Sequence, residues 1–322
     1  MRASSLELVC SRRGDRVRSA SCRRAKERRD DCNDRSHPGH DGLAATFLDK
    51  IAPAMSDEAT EFNRQRWQAL ARADVQFSRP WLDLDAVTAR ARVDPEGMLG
   101  EVAGADVLCL AAGGGQQSSA FALLGARVTV LDFSTVQLER DRETANHYGV
   151  SVQALEGDMR DLSRFADRTF DVPWHAHAIP FIPDPGGVFG EVARVLRPGG
   201  LYRLAWTNPF VHGIWDAPWT PTGYGLKHRY VDGAEMPYDD PEWNVRRPDG
   251  TVERVHGPRE WRHGLGTVVN GLIRRGFEIL GLWESLSTAV DPEPGTFAHC
   301  ETIAPLWLTL WARRGSGPGA SA

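Results

Sequence analysis

The stretch Asp106–Asp132, DVLCLAAGGGQQSSAFALLGARVTVLD, constrains the fold of this chain more than any other. The apolar run Val107–Ala112 has the length and composition of a strand buried on both faces, as parallel strands in α/β proteins are. Gly113, Gly114 and Gly115 follow at once, letting the backbone turn sharply and approach a ligand with no Cβ in the way. Gln116–Leu124 has the composition of a helix starting there, so a helix N-terminus faces the ligand. A second apolar run, Ala126–Leu131, ends in Asp132, near the spacing at which an acid grips both hydroxyls of an adenosine ribose. Nicotinamide, flavin and S-adenosylmethionine (SAM) proteins all use this pattern, and tight β–α turns are also glycine-rich for packing reasons. The rest of the chain has to decide among these.

Composition excludes several classes. The 322 residues have the apolar and charged fractions of an ordinary soluble protein, with a net charge of −5. No run approaches the roughly 18 apolar residues of a membrane span, and Met1–Ala20 lacks the apolar centre of a secretory signal, so a cytoplasmic location is expected. Cys10, Cys22, Cys32, Cys109 and Cys300 are scattered without CxxC spacing, which argues for reduced thiols over a disulfide framework or zinc ribbon. No metal site is expected, Cys32, His37 and His40 lacking a fourth ligand. Met1–Ala54 holds 12 Lys/Arg and 8 Asp/Glu with almost no apolar periodicity; it reads as a disordered leader, and Met55 opens a plausible protein of its own. The remainder, with 26 basic and 35 acidic residues, offers no basic track for nucleic acid.

Along the rest of the chain, Phe62, Trp67 and Leu70 recur near helical spacing behind Ser56-Asp57-Glu58, and a second helical stretch begins at Pro80 and runs through Arg92. These form an N-terminal helical lid, in which Phe77, Arg79 and Trp81 are candidates to close over a ligand. After Asp132 come a helix Ser134–Tyr148, a strand Val150–Leu155, the tetrapeptide Glu156-Gly157-Asp158-Met159, a strand Phe170–His175, a helix Asp184–Leu196 and a strand Gly199–Trp206. Regular alternation implies a doubly wound, mostly parallel sheet. From Asn208 to His263 the pattern breaks into a Gly/Pro/aromatic-rich insertion. Its aromatics, Trp215, Trp219 and Tyr224 among them, either wall a site for an apolar acceptor or make a small core of their own. A helix Leu265–Arg275 and strands Phe277–Trp283 and Ile303–Arg313 complete the chain. The expected divisions are 1–54 (leader), 55–104 (lid), 105–207 (cofactor-binding core), 208–263 (insertion), 264–314 (last helix and strands) and 315–322 (flexible tail).

This order of pieces resembles the class I SAM-dependent methyltransferases, in particular their small-molecule, type 11-like group. Four features match in order: AAGGGQQS after the first strand, Asp132 ending the second, GDM after the third, and EVARVLRPGG before the fifth. The resemblance is strong over Asp106–Leu204. It implies a Rossmann-like seven-stranded sheet, SAM as cofactor, and methyl transfer to a small-molecule acceptor by in-line displacement, with O-, N- and C-methylation all open. It further implies that Gly113 and Gly115 border the methionine part of SAM, that Ala111 and Gln116 are also cofactor-binding, and that Asp132 holds the ribose. Phe133 would pack on the adenine, Asp158 and Met159 would meet its edge, and His175 would lie beside the reacting methyl. A hydroxyl acceptor would be helped by a base, for which His175, His177 and His212 are available by type. Trp81, Trp215, Trp219 and Tyr224 are the candidate acceptor contacts.

The chain departs from the family in two places. Where the first strand usually carries an acid it has Cys109, and where the first motif glycine usually stands it has Ala111. Asp106 lies three residues from Cys109, hence on the opposite face of a strand, and does not substitute for that acid. A non-catalytic SAM-binding relative is therefore one alternative. A nicotinamide-dependent oxidoreductase is another, though Ser118 stands where a third glycine belongs and no Tyr-x-x-x-Lys pair follows. Asn208-Pro209-Phe210 is similar to the Asn-Pro-Pro-Phe box of nucleic-acid amino-methylases, but it follows the fifth strand instead of the fourth. Oligomeric state is not legible.

Overall fold

The structure, a computed structural model, describes residues 58–316 except Pro218, Pro248 and Leu286. The expectations for the leader, the helix start at Ser56-Asp57 and the end of the tail lie outside the described residues. In chain order the elements are α1 (58–72), α2 (Ala86–Val93), β1 (Asp106–Leu110), α3 (Gln117–Leu123), β2 (Arg127–Asp132), α4 (Thr135–Tyr148), β3 (Val152–Glu156) and β4 (Val172–His175). There follow α5 (Gly186–Val195), β5 (Leu201–Thr207), β6 (Glu242–Arg246), β7 (Val252–His256), α6 (Leu265–Ile273), β8 (Phe277–Glu284), α7 (Phe297–Ile303) and β9 (Trp307–Arg314).

Seven strands form one sheet in the order β3-β2-β1-β4-β5-β9-β8. Only β9 runs against its neighbours, pairing antiparallel with both β5 and β8. The mostly parallel sheet expected from the alternation, and its seven-stranded Rossmann-like form implied by the resemblance, are what the described residues form. Order reverses between β1 and β4, and in sheets of this kind ligands bind beyond the strand carboxyl ends at such a switch.

Period-two alternation sorts each strand's side chains between two cores. Leu108, Leu110, Tyr202, Leu204, Trp206 and Leu310 face one side, where Phe189 and Val192 of α5 and Val268 and Leu272 of α6 cover them. Val107, Cys109, Val130 and Trp174 face the other, under Val93 of α2 and Ala120 and Phe121 of α3. Toward β5 and β9 this second face, carrying Ala176, Arg203, Ala205, Thr207 and Thr309, borders a cavity instead of a helix.

Local signals set several boundaries. Ser134 accepts from the Gln137 N–H and caps α4, and Asp85 with Thr88 makes a reciprocal capping box that starts α2 at Ala86, six residues after the expected start at Pro80. Two expectations need correction. Ile303 ends a helix, because the Thr296 hydroxyl caps α7 by accepting from the His299 N–H, and the last strand begins only at Trp307. Phe170 lies before β4 and makes only an isolated bridge to Leu196. The insertion holds a hairpin, β6–β7, that packs on α1: Val245 joins Leu70, Ala73 and Val75 in a small core, and Trp67 meets Trp243 edge to face at 5.8 Å. α1 and the insertion thus share a roof above the sheet.

Candidate active site

The glycine turn leaves β1 through Ala111, which adopts a φ of +46°, in the left-handed region where a glycine is favoured. This accounts for the family's usual glycine there, and the alanine holds the same shape against strain. Gly113 needs its missing side chain: a Cβ would come within 2.8 Å of Gln137 Cβ and 3.1 Å of the Asp132 carboxylate. Asp132, at the carboxyl end of β2, accepts from the Gly113 N–H at 3.0 Å and the Ser134 N–H at 2.8 Å. Burial pushes its pKa up to about 6, against the pull of those backbone donors.

A second buried carboxylate organises the turn from below. Asp141, fully buried on α4, accepts from the N–H groups of Gly114 at 3.0 Å and Gly115 at 3.1 Å, and from the Ser118 hydroxyl. Burial raises its pKa to about 7. Cys109, where the family carries its acid, is fully buried, with its thiol pushed up by burial and next by the Asp141 charge. Asp141 on α4 is thus the buried carboxylate that holds the turn, beside a β1 that carries a cysteine where the family has its acid. Asp106 takes no part; it pairs with Arg127 and Arg197 at the N-terminal end of β1.

One cavity of about 1180 Å³ runs from this turn along the open face of the sheet and under the roof. Among the expected cofactor residues, Ala111, Gly113, Gln116, Asp132, Phe133, Asp158 and Met159 line it. Asp158 is also engaged by its own turn, accepting from the Arg160 backbone N–H at 2.8 Å and guanidinium at 2.6 Å. Gly115 and His175 do not line it. Gly115 is packed against α4, where a Cβ would meet Thr144 and lie 2.7 Å from the Arg140 carbonyl oxygen. His175 is fully buried, its Nδ1 2.8 Å from the Tyr202 hydroxyl and its Nε2 3.3 Å from Met159 Sδ, and burial lowers its pKa to about 3. It sits behind Met159, because its parity on β4 turns it to the α5/α6 face.

Of the candidate acceptor contacts, Trp81 and Trp215 line the cavity, with Trp67, Phe77, Trp243 and Trp307. Trp219 and Tyr224 do not: they pack with His299, whose Nδ1 is 2.9 Å from the Tyr224 hydroxyl, in the small core that was the other reading of the insertion. Arg79 bonds Asp74 and the Arg246 carbonyl oxygen, tying the loop after α1 to β6. Asn208 donates to the Pro305 carbonyl oxygen and accepts from the Phe210 N–H, a structural turn.

Among the three candidate histidines only His177 lines the cavity. Its Nε2 is 2.8 Å from the Thr207 hydroxyl, and burial holds its pKa down at about 4. His212 lies behind Glu260, a cavity residue whose carboxylate accepts from the Tyr238 hydroxyl at 2.9 Å and sits 2.8 Å from His212 Nε2. Among the described residues no group of acidic, Cys and His side chains could hold a metal ion, and no helix is long and apolar enough to cross a membrane.

A glycine turn clamped by a buried acid, a second acid ending β2 and a β9 antiparallel to its neighbours are the architecture of the class I methyltransferase fold, which binds an adenosine cofactor. The comparisons with known proteins agree. Residues 108–204 match the family described as a methyltransferase domain. The chain is 35% identical over 190 residues to the uncharacterized methyltransferase YbaJ of Bacillus subtilis, covering 59% of this chain and 72% of that relative. This protein belongs to the class I SAM-dependent methyltransferases, and SAM is its cofactor. A ubiquinone biosynthesis O-methyltransferase of Xanthomonas euvesicatoria is 32% identical over 108 residues, covering 34% of this chain and 45% of its own length. Among solved structures, a SAM-dependent methyltransferase from Mesorhizobium loti superposes with a TM-score of 0.51 at 24% identity, over 73% of this chain and all of the other. The [4+2]-cyclase SpnF does so with a TM-score of 0.52 at 17% identity, over 79% of this chain and 96% of its own. The shared fold does not by itself fix the chemistry.

Proposed function

We propose that the protein transfers the methyl group of SAM to a small, largely apolar acceptor held under the α1/hairpin roof. The observation that carries this reading is the single cavity joining Gly113 and Asp132 at one end to Trp215 and Trp307 at the other. At about 1180 Å³ it exceeds the ~300–1000 Å³ typical of a one-ligand pocket, so two ligands have room in it together.

Asp132 is suited to hold the ribose. It lines the cavity, and hydroxyl donors there would favour the carboxylate that burial alone disfavours. Phe133, Asp158 and Met159 would border the adenine, and the turn from Ala111 to Gln116 the amino-acid end. SAM supplies an electrophilic methyl group, so no protein nucleophile is needed; alignment and exclusion of water do most of the work. Of the candidate histidines, His177, which lines the cavity, is the one that would meet an acceptor. Neutral at pH 7, it can accept a hydrogen bond from a hydroxyl or amine nucleophile and orient it, with Glu260 as a second acceptor along the wall.

The test is incubation with methyl-labelled SAM and a panel of aromatic hydroxyl and amine compounds, beside thermal melts with S-adenosylhomocysteine and with NAD. Label transfer and stabilisation by S-adenosylhomocysteine alone are expected. Stabilisation by NAD and not by S-adenosylhomocysteine would overturn the reading.

A further inference from the structure

Arg203 is a charged side chain with no sufficient partner. It lies in the middle of β5, is 8% exposed, and lines the cavity. Its guanidinium lies 4.2 Å from the centroid of the Trp174 ring, which positions it without using its donors. Nε and Nη1 have no hydrogen-bond partner, and Nη2 reaches only the Thr309 hydroxyl, at 3.4 Å. Glu96 is the nearest carboxylate, but its Oε2 stands 3.8 Å from Arg203 Nε and already accepts from the Trp311 indole N–H at 3.1 Å. Nε and Nη1 are almost wholly covered as well as unpartnered; buried guanidinium donors are ordinarily satisfied, and a guanidinium that lines a cavity with its donors unmet matches a carboxylate in shape and charge.

The sheet order says which ligand supplies that carboxylate. Asp158 follows β3, Asp132 ends β2 and Gly113 follows β1, so the cofactor residues step across the sheet toward β4. Arg203 is two strands beyond β1, a separation of about 10 Å at the usual strand spacing, and its neighbour across the sheet is β9, which brings Trp307 and Thr309. That is the acceptor's end of the cavity. We propose that Arg203 binds a carboxylate in this cavity and that the acceptor is accordingly a small aromatic or apolar carboxylic acid. This rests on the cofactor reading above. The other source of the same chemistry is the amino-acid carboxylate of the cofactor, and the experiment separates the two.

Parent, Arg203→Met and Glu96→Gln proteins would be titrated calorimetrically with S-adenosylhomocysteine, with methylthioadenosine, which lacks the amino-acid end, and with benzoate, phenylacetate and uncharged benzamide, the last three with and without S-adenosylhomocysteine. We expect the parent to prefer benzoate or phenylacetate to benzamide and R203M to lose that preference by at least tenfold, with S-adenosylhomocysteine affinity within threefold. E96Q should bind the carboxylates more tightly than the parent, since the competing anion is gone; a guanidinium serving only to pair with Glu96 would lose stability in E96Q and gain no affinity. A tenfold loss for S-adenosylhomocysteine but not methylthioadenosine in R203M would keep Arg203 as the carboxylate residue and assign it to the cofactor. Carboxylate and S-adenosylhomocysteine affinities all within threefold in both variants would overturn the proposal. If R203M does not fold, the parent and E96Q comparisons decide it. Failure of the parent to bind S-adenosylhomocysteine would count against the cofactor reading, while benzoate against benzamide would still decide Arg203.

Discussion

Asp132→Ala should weaken SAM binding much more than it weakens the fold. Each Asp132 oxygen accepts one backbone N–H, from Gly113 and Ser134, and a carboxylate oxygen has a further lone pair for a ligand in the cavity that Asp132 lines. A hydroxyl donating to an ionised carboxylate contributes about 1.5–3 kcal/mol, so its loss corresponds to a roughly ten- to hundredfold weaker affinity. The effect on stability combines opposing parts. Two backbone N–H groups lose their acceptor, but a carboxylate whose pKa burial had raised to about 6 is removed with them. Asp132→Asn keeps the shape and one acceptor oxygen, and should show most of the affinity loss with a smaller change in melting. Asp106→Ala is the contrast: it breaks ion pairs to Arg127 and Arg197 at the far end of the sheet and should leave affinity within about threefold. Calorimetric titration with SAM beside thermal melts separates the two effects. An Asp132→Ala protein that binds SAM as tightly as the parent would show the acid to be scaffold and refute the reasoning.

Cofactor affinity in the parent should be flat above pH 7 and fall below about pH 6, approaching tenfold per unit, because the carboxylate of Asp132 binds the ribose and must be freed of its proton; titration across pH 5–8 checks this, and Asp132→Asn should flatten the profile. For His177 the folded pKa of about 4 lies below the unfolded value near 6.5, so the unfolded chain takes the proton first and the parent loses stability as pH falls through that window. His177→Gln removes this loss, and its melting temperature should drop less than the parent's between pH 7 and 5. Ala111→Gly should leave the melting temperature unchanged or raise it, since relief of the positive φ, worth about 1–2 kcal/mol, exceeds or balances glycine's extra unfolded-state entropy of roughly 0.5–1 kcal/mol. Gly115→Ala should lower it steeply, by at least about 2 kcal/mol of stability, because the added Cβ strikes Thr144 and the Arg140 carbonyl oxygen.

The core was legible because its strands are apolar runs closed by recognisable turns, and the residues following them in sequence, Gly113, Asp132, Phe133, Asp158 and Met159, do come together at one cavity. Asp141 was not legible: a charge in the middle of Thr135–Tyr148 looks like one more solvated side chain until α4 is packed over the turn. The hairpin β6–β7 left a signal, Pro248-Asp249-Gly250 between EWNVR and VERVH, but its strands are short and heavily charged. Arg203 also left one, an arginine inside the apolar LYRLAW run, where a buried charge calls for a partner. His175 and His177 are two residues apart and would share a face on one continuous strand; β4 ends at His175, so His177 lies in the turn that follows and reaches the cavity, while His175 is buried beside Tyr202. Trp219 and Tyr224 share the composition of Trp215 and could be told from it only by the contacts of α7.

The most direct measurement is a crystal structure of the protein with S-adenosylhomocysteine. The account predicts the ribose hydroxyls on the Asp132 carboxylate, the adenine beside Phe133 and Met159, and the end of the cavity between Arg203, Trp215 and Trp307 left open for an acceptor. A nucleoside bound elsewhere, or lying across Trp215 and Trp307 with Asp132 untouched, would contradict it.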